Sequence, residues 1–304
     1  MLLGEVIMEK VIFRNKLAIG DNLVFTIALR ELQKKYPNKY QTGIISFYPE
    51  VYENNTNITI FSKEEAQNIK IIDVDYHHEF VNRKVSGKHF AQGYITCLNN
   101  LFNLNIDLTD CRPDIFITDE ENIRALDILG ENNIKDKFWL LSPGFKQDMP
   151  LKNYSAFQWQ KFINEMEYND IQIVQTGDKV AINPRFKNVK SLVGKLNLRE
   201  YFAVASLSNG MIGYPSLQMH LAAGLRKPCI VVAGSREGIS WNSYDNQHYL
   251  HSVGLLNCCQ LYACWKKDIQ DCTNYDYKSG IARCMQLIDV KQIIDIVMKY
   301  ENIN

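Results

Sequence analysis

Short apolar runs alternate with longer amphipathic stretches along this chain, and the alternation predicts its elements. Val11–Phe13, Gly43–Phe47 and Lys70–Val74 read as strands, followed by Asp114–Ile117. Phe138–Leu141, Ile171–Val174, Gly210–Gly213 and Pro228–Ala233 read as strands further on. Between them the apolar positions recur at helical spacing. Leu23, Ile27, Leu29 and Leu32 mark one helix, stopped by Pro37 with basic residues in its last turns. Phe90, Tyr94, Leu98, Leu101 and Phe102 mark a second within Lys88–Leu104, and Glu120–Leu129 reads as a third. Phe157, Phe162 and Met166 mark another, and Ile293, Ile294, Ile296 and Val297 mark a tail helix over Val290–Tyr300 that is expected to pack across a domain junction. Strand, tight turn, helix, strand is the grammar of a doubly wound α/β protein. The charged stretch 131–137 breaks the pattern, which predicts domains over 1–135 and 136–304.

The densest unit runs from Val204 to Gly234. Two apolar strands flank one predicted helix, Ser216–Leu225, opened by Pro215-Ser216 and closed near Gly224. Ser is a good N-cap, and its hydroxyl is expected to take a backbone N–H of the first turn. The turn after such a strand lies at the carboxyl edge of the sheet, where these folds bind ligands. The helix start offers unpaired N–H groups and partial positive charge, which suit a phosphate. Ordinary α/β scaffolding gives the same pattern. Asp21 follows Ala18-Ile19-Gly20 on another strand-to-helix turn, where an acid serves either as a cap or in chemistry.

Charge narrows the function classes. The 304 residues carry 34 basic and 34 acidic side chains, so no basic excess points to nucleic acid or to a membrane surface. No apolar run approaches the ~20 residues that span a bilayer. The opening MLLGEVIMEK lacks a charged n-region and a cleavage site, so a cytoplasmic location is expected. His77 and His78 are adjacent and point to opposite sides of an extended chain, which suits a polar loop better than a shared metal.

Several of these segments resemble glycosyltransferase family nine, the heptosyltransferase type. Ser216, His220-Leu221-Ala222-Ala223, Lys227-Pro228 and Gly234 follow that family's pattern in order. So do Gly20-Asp21 with Ala28-Leu29-Arg30, Arg112-Pro113, Lys152, Ser191–Gly194 and Cys284-Met285. The resemblance implies a GT-B arrangement, two Rossmann-like domains facing a cleft, with the acceptor side N-terminal and the nucleotide-sugar side C-terminal. It implies metal-independent transfer of a sugar, heptose by family habit, from a nucleotide-diphosphate donor such as an ADP-sugar. The acceptor would be a hydroxyl on a glycan, lipid-linked glycan or protein. Asp21 would be the catalytic base. Gly20, Gly144, Lys152, Gly177, Ser216, Leu217, Gln218 and His220 would line the donor site, although His220 would equally fill a helix–sheet contact and Lys152 alone would read as a surface charge. Pro215 stands where the family has Asp, Leu217 where it has Gly, and Tyr154 where it has Trp. Those departures leave room for a binding or assembly protein without turnover, or for another nucleotide-sugar enzyme such as an epimerase.

Five of the eight cysteines fall between Cys258 and Cys284, in a segment poor in aliphatic residues. Some protein-glycosylating members of the family carry an iron-binding finger at this place. Four thiolates hold zinc or iron tetrahedrally, and Cys259, Cys264, Cys272 and Cys284 form the preferred set, with Cys258 spare. Reduced buried thiols and a disulfide are the other readings.

Overall fold

The computed structural model describes residues 8–77, 87–147, 149–265 and 269–302. The chain forms two compact units that divide between Ile117 and Thr118.

In the first unit, β1 (Glu9–Asn15) leads into α1 (Ile19–Lys35), then β2 (Tyr40–Ser46), the short α2 (Lys63–Ala66), β3 (Lys70–Asp73) and α3 (Phe90–Phe102). The three strands are parallel, in the order β2-β1-β3. Val11, Ile12 and Phe13 are all buried, the continuous apolar run of a central parallel strand covered on both faces. Phe13 stands edge-on to Phe25 of α1 at 5.6 Å and to Phe102 of α3 at 5.9 Å, so aromatic contacts tie both helices to the sheet.

No strand forms at Asp114–Ile117, where one was expected. Side chains of α1 take the backbone groups that a neighbouring strand would have paired. Asp114 N–H donates to Thr26 Oγ1 at 2.9 Å, and Arg30 donates to the carbonyls of Asp110 and Arg112.

The second unit begins with α4 (Asp119–Glu131), then β4 (Phe138–Ser142), α5 (Ala156–Tyr168), β5 (Gln172–Gln175), β6 (Lys190–Ser191) and α6 (Leu198–Leu207). It continues through β7 (Gly210–Gly213), α7 (Leu217–Gly224), β8 (Cys229–Gly234), α8 (Ile239–Asn242) and β9 (Gln247–His251). A hairpin of β10 (Tyr275–Asp276) and β11 (Ile281–Ala282), then α9 (Arg283–Gln286) and α10 (Val290–Tyr300), end it. The unit starts ahead of the charged stretch 131–137 because α4 packs against α6, where Glu121 accepts from Arg199 at 2.6 Å.

Six parallel strands form the second sheet, in the order β6-β5-β4-β7-β8-β9. Counted within the unit this is 3-2-1-4-5-6, the Rossmann order, and it reverses between β4 and β7. The tail helix α10 packs on α5 inside this unit, burying Ile293 and Val297 beside Trp139 and Trp159. Among the described residues, no helix is long and apolar enough to cross a membrane.

Candidate active site

Both sheets place candidate chemistry where their strand order reverses. Successive connections leave to opposite faces there, and the loops at the carboxyl ends part to leave a crevice.

In the second unit that point lies between β4 and β7. Ser216 occupies the cap position of α7, as the sequence predicts, but its hydroxyl caps nothing. Its backbone is fully extended, at φ −165° and ψ −168°, and the residue is exposed at the helix start. Lys152 ends a 3-10 turn, Pro150–Lys152, and reaches the same place. Its ammonium donates to Pro215 O at 2.5 Å and pairs with Glu237 Oε1 at 2.7 Å. It is therefore not the solvated surface charge that the residue alone suggested; its side chain is 18% exposed.

The other expected donor residues differ in what they touch. Leu217 is half-buried in the first turn of α7. Gln218 is buried, and its Nε2 donates to Tyr214 O at 2.6 Å, which closes the β7–α7 turn on itself. His220 is buried, with Nδ1 2.7 Å from the Tyr244 hydroxyl and its ring edge-on to the Tyr244 ring. Gly144 and Gly177 lie just beyond β4 and β5, and a Cβ on either would collide with Asn183 Oδ1. The group that needs those glycines is therefore Asn183, carried on a segment that pairs with Phe145 through Ile182. Tyr154, at the family's Trp position, is a core residue: its hydroxyl donates to Ile288 O at 2.9 Å and its ring packs against Trp159.

In the first unit the reversal lies between β1 and β3. Gly20 sits in the first turn of α1, and the cap residue is Ala18 rather than Asp21. Asp21 Oδ2 accepts from Ala18 N–H at 3.2 Å, and Oδ1 accepts from the Tyr76 hydroxyl at 2.7 Å. Tyr76 follows β3, so this bond spans the reversal point. Asn22, fully buried, donates to the carbonyls of Leu17 and Ala18 and accepts from Ser46 and Tyr52, which locks the turn. Burial pushes the Tyr52 and Tyr94 hydroxyls well above their ordinary range, and the Asp21 carboxylate adds to this, so both stay protonated. His77 stacks on Tyr76 and its Nδ1 lies 2.7 Å from Asp75 Oδ1. His78 falls outside the described residues.

The cysteine segment lies beside the turn that follows β8, where Cys264 N–H donates to Ser235 O at 3.0 Å. Among the described residues, no group of three or more His, Cys, Asp or Glu side chains is placed to hold a metal ion. Cys259 Sγ is directed at Ser235 Oγ, 3.2 Å away, and at the carbonyls of Ser252 and Leu256. Cys284 packs with Met285 against Gly234. Burial pushes the Cys264 thiol up to about 12 and raises that of Cys284, and the neighbouring cysteines of the segment add to both shifts. Cys272 lies against the same core.

Sequence reasoning missed Tyr76, Asn183 and Glu237. Glu237 left the clearest signal, since Ser235-Arg236-Glu237 directly follows the fully buried strand β8, where a turn meets the carboxyl edge of the sheet.

The family pattern described as "Glycosyltransferase family 9 (heptosyltransferase)" matches residues 61–264. Among solved structures, a family 9 glycosyl transferase from Veillonella parvula is 16% identical, with a TM-score of 0.72, covering 96% of this chain and 97% of its own. The dodecameric iron-containing heptosyltransferase TibC, solved in complex with ADP-D-beta-D-heptose, is 13% identical with a TM-score of 0.68, covering 97% and 78%. Escherichia coli ADP-heptose LPS heptosyltransferase II is 10% identical with a TM-score of 0.63, covering 96% and 98%. Among curated proteins, no sequence matches.

Proposed function

We propose, for a chain that belongs to glycosyltransferase family 9, the transfer of a heptose-type sugar from an ADP-linked donor to a hydroxyl of a glycan, lipid-linked glycan or protein. The observation that carries this reading is the Lys152 ammonium at the β4–β7 reversal, bonded to Pro215 O next to the start of α7. A compact cation beside a helix N-terminus is a site for a diphosphate. TibC, similar in fold, was solved with ADP-D-beta-D-heptose, and the Escherichia coli heptosyltransferase WaaC with ADP.

In this scheme the second unit holds the donor and the first serves the acceptor. Asp21 takes the proton of the acceptor hydroxyl as its oxygen attacks the anomeric carbon. The bond from that carbon to the diphosphate oxygen breaks, and the negative charge moves to the departing diphosphate. Lys152 and the first-turn amides of α7 stabilise that charge. Asp21 is suited to its part because Tyr76 and the Ala18 N–H fix the carboxylate. The hydroxyl of Ser216, engaged with no first-turn amide, is assigned to the diphosphate as well.

Lys152→Ala tests the reading. A charge-assisted hydrogen bond contributes about 1.5–3 kcal/mol, so ADP should bind roughly 10- to 100-fold more weakly. Adenosine, which lacks the diphosphate, should lose less than about twofold. Calorimetric titration of both ligands decides it; equal losses, or none, would remove Lys152 from the diphosphate site.

A further inference from the structure

Lys152 is not held by its own turn. The carboxylate that pairs with it, Glu237, is buried, and it is anchored from behind. Glu237 Oε2 accepts from Asn242 Nδ2, and Asn242 Oδ1 accepts from the Tyr249 hydroxyl at 3.0 Å. Asn242 is fully buried in α8, and Tyr249 belongs to β9, so two further elements fix the carboxylate. The result is a chain running Tyr249, Asn242, Glu237, Lys152 and the Pro215 carbonyl. Every link is a hydrogen bond or ion pair, and every side chain in it is mostly buried. None of Glu237, Asn242 and Tyr249 belongs to the predicted donor set.

We propose that Glu237 is a positioning residue for recognition of a nucleoside diphosphate: it holds the Lys152 ammonium in one orientation at the β4–β7 reversal, ready for the ligand. This rests on the reading of Lys152 as a diphosphate contact. An ammonium has three N–H bonds, and two go to Glu237 and Pro215 O, which leaves one for a ligand oxygen. A free lysine side chain carries large rotamer entropy, and ordering it in advance removes that cost from binding. The opposing effect is repulsion between Glu237 and the diphosphate. Positioning wins because Asn242 pins the carboxylate and the ammonium offsets its charge at 2.7 Å, so the repulsion left for the ligand is small.

The experiment is a double-mutant cycle on ADP affinity, with adenosine as the control ligand. Glu237→Gln keeps the shape and removes the charge. It should weaken ADP binding about tenfold and adenosine less than about twofold. In a Lys152→Ala background the same change should cost nothing further, because Glu237 acts only through Lys152. Asn242→Ala leaves both charges in place and frees the carboxylate, so it serves as a second variant if Glu237→Gln folds poorly; it should weaken ADP binding in the same direction by a smaller factor. ADP binding by Glu237→Gln as tight as wild type, or tighter, overturns the proposal and makes Glu237 a brake. Additive losses in the double mutant overturn it as well. If Lys152→Ala alone leaves ADP binding unchanged, the diphosphate reading of Lys152 falls first and takes this inference with it.

Discussion

Asp21→Asn is expected to lower glycosyl transfer by about 10²- to 10⁴-fold, the usual range for loss of a general base. The substitution is close to isosteric. Its carbonyl oxygen can still accept from the Tyr76 hydroxyl, which now stands 2.7 Å from Oδ1. It can no longer take a proton from the acceptor. The loss should fall on kcat, with donor affinity within about twofold of wild type, because Asp21 is assigned no contact to the nucleotide. Acceptor-dependent release of ADP from the donor measures the first quantity, and calorimetry with ADP measures the second. Full turnover by the Asn variant would reduce Asp21 to its bond with the Ala18 amide, a first-turn contact of α1. A large loss of ADP affinity would show that the variant disturbs more than the base.

The turns that carry this chemistry were legible, while the side chains that complete them were less so. β7 and α10 occupy the residues that periodicity predicts, Gly210–Gly213 and Val290–Tyr300. Local pattern suffices there, because a buried parallel strand is apolar throughout and an amphipathic helix repeats every 3.6 residues. Asp114–Ile117 looks equally strand-like, but whether a strand forms depends on a neighbour to pair with, and Arg30 and Thr26 take that place. Glycines mislead in a related way. Gly144 and Gly177 signal a close approach, which the sequence cannot assign to a ligand or to the protein; Asn183 is what approaches. The Lys152–Glu237 pair joins two turns on different strands, and no spacing rule connects them. The cysteines cluster in sequence, and the serines that the Cys259 sulfur meets, Ser235 and Ser252, come from other stretches of the chain.

Arg30→Ala is expected to destabilise the first unit by about 3 kcal/mol. Arg30 donates to Asp114 Oδ1 at 2.6 Å, to Arg112 O at 2.8 Å, to Asp110 O at 2.5 Å and to Glu31 Oε1 at 3.2 Å. Glu31 is 2% exposed, so removing its cation leaves a buried carboxylate without its counter-charge. Breaking a buried pair in this way costs about 3–5 kcal/mol. The lower end applies because the Arg30 side chain is 23% exposed, and because Glu31 keeps bonds from Thr109 and the Asp110 amide. Arg30→Lys should recover only part of the loss, since an ammonium lacks the planar fork that reaches four oxygens at once. The four tryptophans, Trp139, Trp159, Trp241 and Trp265, all lie in the second unit, which separates the readouts. In urea, the far-ultraviolet circular dichroism of Arg30→Ala should acquire an early transition that tryptophan fluorescence does not share. A fluorescence midpoint that moves as far as the dichroism midpoint, or a dichroism curve identical to wild type, would show that Arg30 does not hold the first unit together on its own.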